Sequence, residues 1–397
     1  MTATTHSPSD LPSAAAPLET LAPTRKKPAL WARLLAVLLS TLLSLVLAEI
    51  VAGVVRGHAF SFLNLYIADP LFGVRLEPDA STGIRSRNGH VTRIATNAQG
   101  FRGADWEPAP SPAPVAGRVL LLGDSQVFGY GVEEDEALAA ALSRHLGGQR
   151  GDGGDQAARD VLNAATPTWG PPEYVQILAE LAPIYRPSVV VFVANAANDW
   201  SETRTTNARR TTARDGWAKV RVAADGSEDP PTEFPGRRFL LGQSHLVFAV
   251  RALFAHSQGA PSVLAASATR LVRDLPYMLA PVPPFRSRIS PWLAKAADVC
   301  RANGCKVIAV GLPLDLQVDA REWRKYDETP VDLVPTEALI AAFLADARGH
   351  GWPTLDLLPV LRQASPGAFQ ADDYHLSPAG HEAFARALSP LVEEALR

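Results

Sequence analysis

Arg118-Val-Leu-Leu-Leu-Gly-Asp-Ser-Gln-Val-Phe-Gly-Tyr-Gly131 decides how the chain is read. Residues 119–122 are a continuous branched apolar run, which fits a strand buried on both faces of a parallel sheet. Gly123 ends the strand, and Asp124 is suited to bond neighbouring amides and hold a tight turn. Ser125 is left at the strand's carboxyl end, where open α/β sheets bind their ligands. Beyond Gly129 and Gly131, residues 133–146 predict a helix, acidic at its start and rich in Ala and Leu inside. The stretch has no Gly-Lys-Ser/Thr ending and its glycines miss the dinucleotide spacing, which argues against a phosphate loop. Taken alone, it is equally consistent with a strand–turn–helix unit carrying an ordinary turn serine.

Downstream the pattern repeats. Residues 119–122, 161–165, 189–193, 307–310 and 354–358 predict short buried strands. Helices are predicted between and after them, at 133–146, 172–184, 291–302, 336–348 and 379–396. Strands alternating with helices imply parallel pairing, right-handed crossovers and helices on both faces. The expected fold is therefore α/β, a three-layer αβα sandwich on a five-stranded parallel sheet. Residues 201–290 interrupt the rhythm. They begin polar and basic (Arg204, Arg209, Arg210, Arg214), turn Pro/Gly-rich over 229–236, and then carry apolar helical stretches at 245–256 and 261–279. An insertion after a strand's carboxyl end fits a substrate lid, and equally a solvated surface excursion.

Upstream, residues 58–105 are irregular, with a turn-rich Asn97-Ala-Gln-Gly-Phe-Arg-Gly103, and 107–116 form a Pro/Ala linker. Residues 34–55 are long and apolar enough to span a bilayer, which takes roughly 20 helical residues. Glu49 is their only charge and lies near the far end. Arg25, Lys26, Lys27 and Arg33 precede them, with Trp31 at the near boundary. By the positive-inside rule the tail stays cytoplasmic and everything after the helix lies outside. A cleaved signal peptide fits less well, because the leading region is long and no Ala-x-Ala site follows. A buried soluble helix fits less well too, since the run is apolar all round. Residues 1–24 are rich in Ser, Thr, Ala and Pro and read as a flexible tail.

A length of 397 residues and 47% apolar content support a substantial core. A net charge of −3 and the lack of a long basic stripe argue against nucleic-acid binding. The two cysteines, Cys300 and Cys305, straddle a predicted helix end with Gly304 between them. An oxidising compartment would allow a bridge, and two free buried thiols remain the alternative. The pair alone makes no metal site.

A serine nucleophile needs a base. Among nine histidines, His375 stands out in Ala371-Asp-Asp-Tyr-His-Leu-Ser-Pro-Ala-Gly-His381. It follows the last predicted strand, at the sheet edge where Ser125 lies. Asp372, three residues earlier, is placed to fix the imidazole tautomer, and the adjacent Asp373 stays open as its alternative. The segment also makes a good helix start, with Ser377 as N-cap and Pro378 at N1. Acyl transfer further requires donors for an oxyanion. Asn163-Ala-Ala-Thr-Pro-Thr-Trp-Gly170 and Val193-Ala-Asn-Ala-Ala-Asn-Asp199 end the second and third predicted strands. They offer the Gly170 amide and the Asn198 side chain beside the Ser125 amide. Each is an ordinary loop taken singly.

Together these blocks resemble the SGNH hydrolases, the GDSL-like lipase/esterase superfamily. Gly123-Asp-Ser125 resembles the first block, Gly170 the second, Ala196-Ala-Asn-Asp199 the third and Asp372-Asp-Tyr-His375 the last, in order along 118–397. The resemblance implies a flavodoxin-like sheet and Ser125 as nucleophile, His375 as base and Asp372 as orienter. It implies Ser125, Gly170 and Asn198 as oxyanion donors, and a reaction that needs no metal or cofactor. Membrane-tethered bacterial members are similar in their N-terminal arrangement and commonly act on acetyl groups of carbohydrates. Gln126, where the family usually has an apolar residue, and Ala196, where it usually has glycine, depart from the pattern.

The organisation so implied is a cytoplasmic tail over 1–33 and a membrane helix over 34–55. A membrane-proximal region and linker follow over 58–117, then a hydrolase domain over 118–397 with the insertion at 201–290. The expected partners are an ester substrate, such as an acetylated carbohydrate, and the lipid bilayer. An O-acetyltransferase using the same triad, and a non-catalytic glycan-binding protein, are the competing readings. A histidine base would make the rate rise with pH around neutrality, so a flat rate from about pH 4 to 9 would exclude it.

Overall fold

Continuous apolar runs, buried on both faces of the central strands, set the layers. The computed structural model describes residues 29–60, 62–86, 89–147, 160–205, 207, 218–219, 232–233, 244–247, 249–250, 271, 273–326 and 330–397. The five predicted strands form one parallel sheet: β1 (Val115–Leu122), β2 (Val161–Asn163), β3 (Pro187–Asn195), β4 (Lys306–Leu312) and β5 (Thr354–Asp356). Their order across the sheet is β5-β4-β3-β1-β2. This is the flavodoxin-like order, whose switch point lies between β1 and β3. Leu120 pairs with Val190 on one side and Leu162 on the other, which brings the carboxyl ends of β1, β2 and β3 to one edge.

The helices, in chain order, are α1 (Leu30–Val55), α2 (Ser125–Phe128), α3 (Leu138–His145), α4 (Pro171–Tyr185), α5 (Asp199–Glu202), α6 (Ser290–Asn303), α7 (Asp315–Val318), α8 (Val334–Gly349), α9 (Leu358–Ala364) and α10 (Pro378–Leu396). Because successive strand residues face opposite sides, the core is double. Leu120, Leu122, Val190 and Phe192 pack with α4, α6 and α8. Val119, Leu121, Val191 and Val193 pack with α3, α9 and α10. This is the expected αβα sandwich. The helix predicted from 133 begins only at Leu138, because Glu133 and Glu136 close a capping box around a 3₁₀ turn at Glu134–Glu136.

The segment read as irregular contains ordered strands. Ser81–Arg85 pairs antiparallel with Val91–Ala95 and parallel with Ala59–Phe60, and Tyr66–Asp69 forms a hairpin with Gly73–Leu76. At two to five residues each, these strands are too short for a period to register. The Trp169 indole donates to Val74 O at 2.9 Å and the Tyr66 hydroxyl to Pro167 O at 3.1 Å, so this region packs on the loop after β2. Cys300 and Cys305 are paired in a disulfide, with Cα atoms 4.7 Å apart.

The chain divides into two compact units, Met1–Ala48 and Glu49–Arg397. Within the first, the described residues continue α1, which spans 26 residues in all and has a mean hydropathy of 2.5 over its most apolar window. Among the described residues it is the one helix long and apolar enough to cross a membrane. Within the second unit, the Glu49 carboxylate accepts from the Ser244 hydroxyl at 2.7 Å and from the His245 and Leu246 amides. Most of the predicted tail, and most of the insertion including Arg209, Arg210 and Arg214, lies outside the described residues.

Candidate active site

Local sequence explains how Ser125 is presented. Asp124 caps α2, its Oδ1 accepting from Gln126 N at 2.9 Å, so Ser125 opens the helix and its own N–H has no acceptor within it. The Asp124 Oδ2 accepts from Asn195 Nδ2 at 2.8 Å, which ties the turn after β1 to the end of β3. Gly129 ends α2 at φ +83, a left-handed conformation that suits glycine.

The Ser125 Oγ lies 2.9 Å from His375 Nε2. On the far side of the ring, His375 Nδ1 lies 2.8 Å from Asp373 Oδ1. The histidine is 6% exposed and Ser125 is half-buried. The structure thus brings Ser125 and His375 together as expected, but it places Asp373, not Asp372, on the imidazole. The reason is local. Asp373 folds its carboxylate over the following backbone, with Oδ1 also accepting from Tyr374 N at 2.6 Å, and His375 comes around to meet the same oxygen. Burial alone would raise this carboxyl, but His375 and the bonds it accepts outweigh that and hold it below the usual carboxylate range. It is therefore ionised at neutral pH and suited to stabilise an imidazolium. Two aromatic rings lie against the imidazole, Tyr374 at 4.4 Å and Tyr130 at 4.8 Å between centroids. Burial and the Asp373 charge push the Tyr130 phenol up to about 12, so it stays neutral there.

In sheet order β1 lies between β2 and β3, so Ser125 is flanked by the loops carrying Gly170 and Asn198. Both expected donors have partners within the chain. The Gly170 amide donates to Glu173 Oε2 at 3.0 Å as part of the start of α4. The Asn198 side-chain amide donates to Glu202 Oε2 at 3.1 Å, while its Oδ1 is buried without a partner. Of the three expected donors, the Ser125 N–H is left by its helix position and the Asn198 amide keeps a second N–H beyond its bond to Glu202, whereas the Gly170 N–H would have to leave Glu173 to meet an oxyanion. Behind this loop the buried Asp199 accepts from Asn195 N at 2.8 Å and from the Tyr174 hydroxyl at 3.0 Å. Burial, with Asp124 and Glu202 nearby, drives its pKa well above the ordinary carboxylate value.

Two buried residues escaped the sequence reading. Arg102, delivered by the turn around Asn97, is 2% exposed. Its guanidinium donates to the carbonyls of Phe128 at 3.3 Å, Gly129, and Val132 at 2.6 Å, bracing the chain just after the nucleophile helix. Burial lowers its pKa to about 10, which still leaves it charged. A glycine-flanked arginine in a turn gives no sequence sign of such a role.

His381 on α10 is 1% exposed, and burial with Arg102 and His375 nearby drives its pKa down to about 3. The folded state therefore keeps it neutral, while the unfolded chain protonates it below about pH 6.5. Its contribution to stability is complete above that pH and is lost as pH falls toward 3, at about 1.4 kcal/mol per unit. Raised carboxyls such as Asp315, pushed up to about 6, act in the opposite sense, so the difference between proteins is the useful readout. His381→Gln should flatten the acid loss of melting temperature between pH 6.5 and 4 relative to wild type. Parallel curves would show that His381 does not carry it.

No protein-family model matches the sequence, and no curated protein matches it. Solved structures are similar over most of their own lengths. The crystal structure of TesA is 17% identical, with 70% of this chain and 99% of that one covered at a TM-score of 0.36. A GDSL-like lipase from Bacteroides thetaiotaomicron VPI-5482 is 12% identical, with coverage of 70% and 88% and a TM-score of 0.36. A Clostridium thermocellum family 3 carbohydrate esterase is 12% identical, with coverage of 70% and 96% and a TM-score of 0.34. The names include those of the family that the sequence blocks resemble. TM-scores of this size are too low to carry a function across to this chain.

Proposed function

We propose that this chain is a membrane-anchored serine esterase that hydrolyses carboxylic, and in particular acetyl, esters on envelope or extracellular carbohydrate. The observation that supports it best is the unbroken Ser125–His375–Asp373 hydrogen-bond chain at the carboxyl edge of the sheet. In this reading His375 Nε2 takes the Ser125 proton as Oγ attacks the ester carbonyl. Asp373 stabilises the imidazolium so formed. The Ser125 amide, joined by the second N–H of Asn198 and by Gly170 once it releases Glu173, receives the charge on the carbonyl oxygen. The imidazolium then protonates the departing alcohol. Water, deprotonated by the same nitrogen, attacks the acyl-serine and frees the carboxylic acid and Ser125. Helix α1 holds the domain at a bilayer, with the tail inside and the site outside.

The test uses the full-length chain in detergent with p-nitrophenyl acetate and then acetylated glycans. Release of free acetate, lost in Ser125→Ala, supports the esterase. Acetyl transfer to added glycan in place of release would convert the reading to an acetyltransferase. Glycan binding with no acyl chemistry would refute both.

A further inference from the structure

Gln126 is 3% exposed and directly follows the nucleophile. Its side-chain amide reaches across to the loop that carries His375. Nε2 donates to Tyr374 O at 2.9 Å, and Oε1 accepts from Leu376 N at 2.9 Å. These two groups belong to the residues immediately before and after His375. One planar amide thus pairs with the histidine's backbone on both sides, as a neighbouring strand would. The opposite orientation of the amide would set N–H against N–H and carbonyl against carbonyl, so the pairing defines it.

The rest of this loop is tied elsewhere. Lys325 Nζ donates to Asp373 O at 2.9 Å, Gln370 N to His375 O at 2.9 Å, and Gln370 Nε2 to Leu376 O at 3.1 Å and to Tyr130 O at 2.7 Å. None of these partners adjoins Ser125 in the chain, whereas Gln126 does. Gln126 is therefore the link that runs from the residue next to the nucleophile to the backbone on both sides of the base, beside a second link through Gln370 and Tyr130.

We propose that Gln126 is a positioning residue that sets the Ser125–His375 separation by holding the backbone on both sides of the histidine. The proposal rests on the esterase reading above. Leucine at this position fills a similar volume but removes the donor to the Tyr374 carbonyl and the acceptor for the buried Leu376 amide. A glutamate can replace both bonds only when protonated, because a carboxylate accepts but cannot donate.

The experiment compares wild type, Gln126→Leu and Gln126→Glu as full-length protein in detergent. The readouts are p-nitrophenyl acetate hydrolysis from pH 5 to 9, the rate of fluorophosphonate labelling, and the melting temperature at each pH. Gln126→Leu should lose about 10- to 100-fold in kcat with KM little changed. For Gln126→Glu, activity relative to wild type should be greatest at the acid end and fall as the glutamate ionises. This is a pH dependence of one variant measured against wild type, and it holds even if the leucine variant does not fold. Wild-type kcat in a folded Gln126→Leu, or a Gln126→Glu to wild-type ratio that stays constant with pH, would overturn the positioning role while leaving the esterase reading in place. A folded wild type that is itself unreactive would overturn the esterase reading, and this role with it.

Discussion

His375→Ala should reduce kcat for ester hydrolysis by about 10⁴- to 10⁶-fold while leaving the fold intact. A serine hydroxyl is almost fully protonated at neutral pH and attacks a carbonyl poorly unless a base removes its proton during the attack. The imidazole Nε2 is 2.9 Å from Oγ, within the range for direct transfer. The same ring must later donate a proton to the leaving alcohol and activate water, so its removal affects both halves of the reaction. His375 lies on a backbone that Gln126, Gln370 and Lys325 hold without help from its side chain. Stability should therefore change little. Steady-state kinetics beside a thermal melt checks this, and a variant with more than a tenth of wild-type kcat would remove His375 from the mechanism.

The second large effect separates two adjacent aspartates. Asp373→Asn should lower kcat by about 10⁴-fold, because an asparagine on Nδ1 favours the wrong tautomer and supplies no charge to the imidazolium. Asp372→Asn should stay within a few-fold of wild type. The geometry places Asp373 Oδ1 2.8 Å from the ring, and its carboxyl is held below the ordinary range, so its charge persists at neutral pH. The reverse ranking of the two variants would restore Asp372 as the orienter implied by the family resemblance.

The spacing between these aspartates and His375 could not decide the matter from sequence. Three residues and two residues are both feasible when the intervening chain is not helical, and here the Asp373 carboxylate turns over the Tyr374 amide. Strand placement was legible for a different reason. Runs such as 119–122 and 189–193 are buried on both faces, and that requirement leaves a continuous apolar signature. The switch point followed from the same runs once their order was set by pairing. By contrast, Arg102 and Gln126 act across 26 to 30 and 248 to 250 residues of chain. No local pattern records such contacts, although Gln126 was visible as a departure from an otherwise apolar position. The oxyanion side was legible as loops at the correct strand ends, while the competing bonds to Glu173 and Glu202 depend on side-chain placement alone.

The central claim is that Ser125 is an activated nucleophile. Its most direct test is covalent labelling of the full-length chain in detergent with a fluorophosphonate probe, beside Ser125→Ala, followed by mapping of the modified peptide. Stoichiometric labelling at Ser125 is expected in the wild type and none in the variant. A folded wild type that resists the probe, or a label that persists in Ser125→Ala, would contradict it.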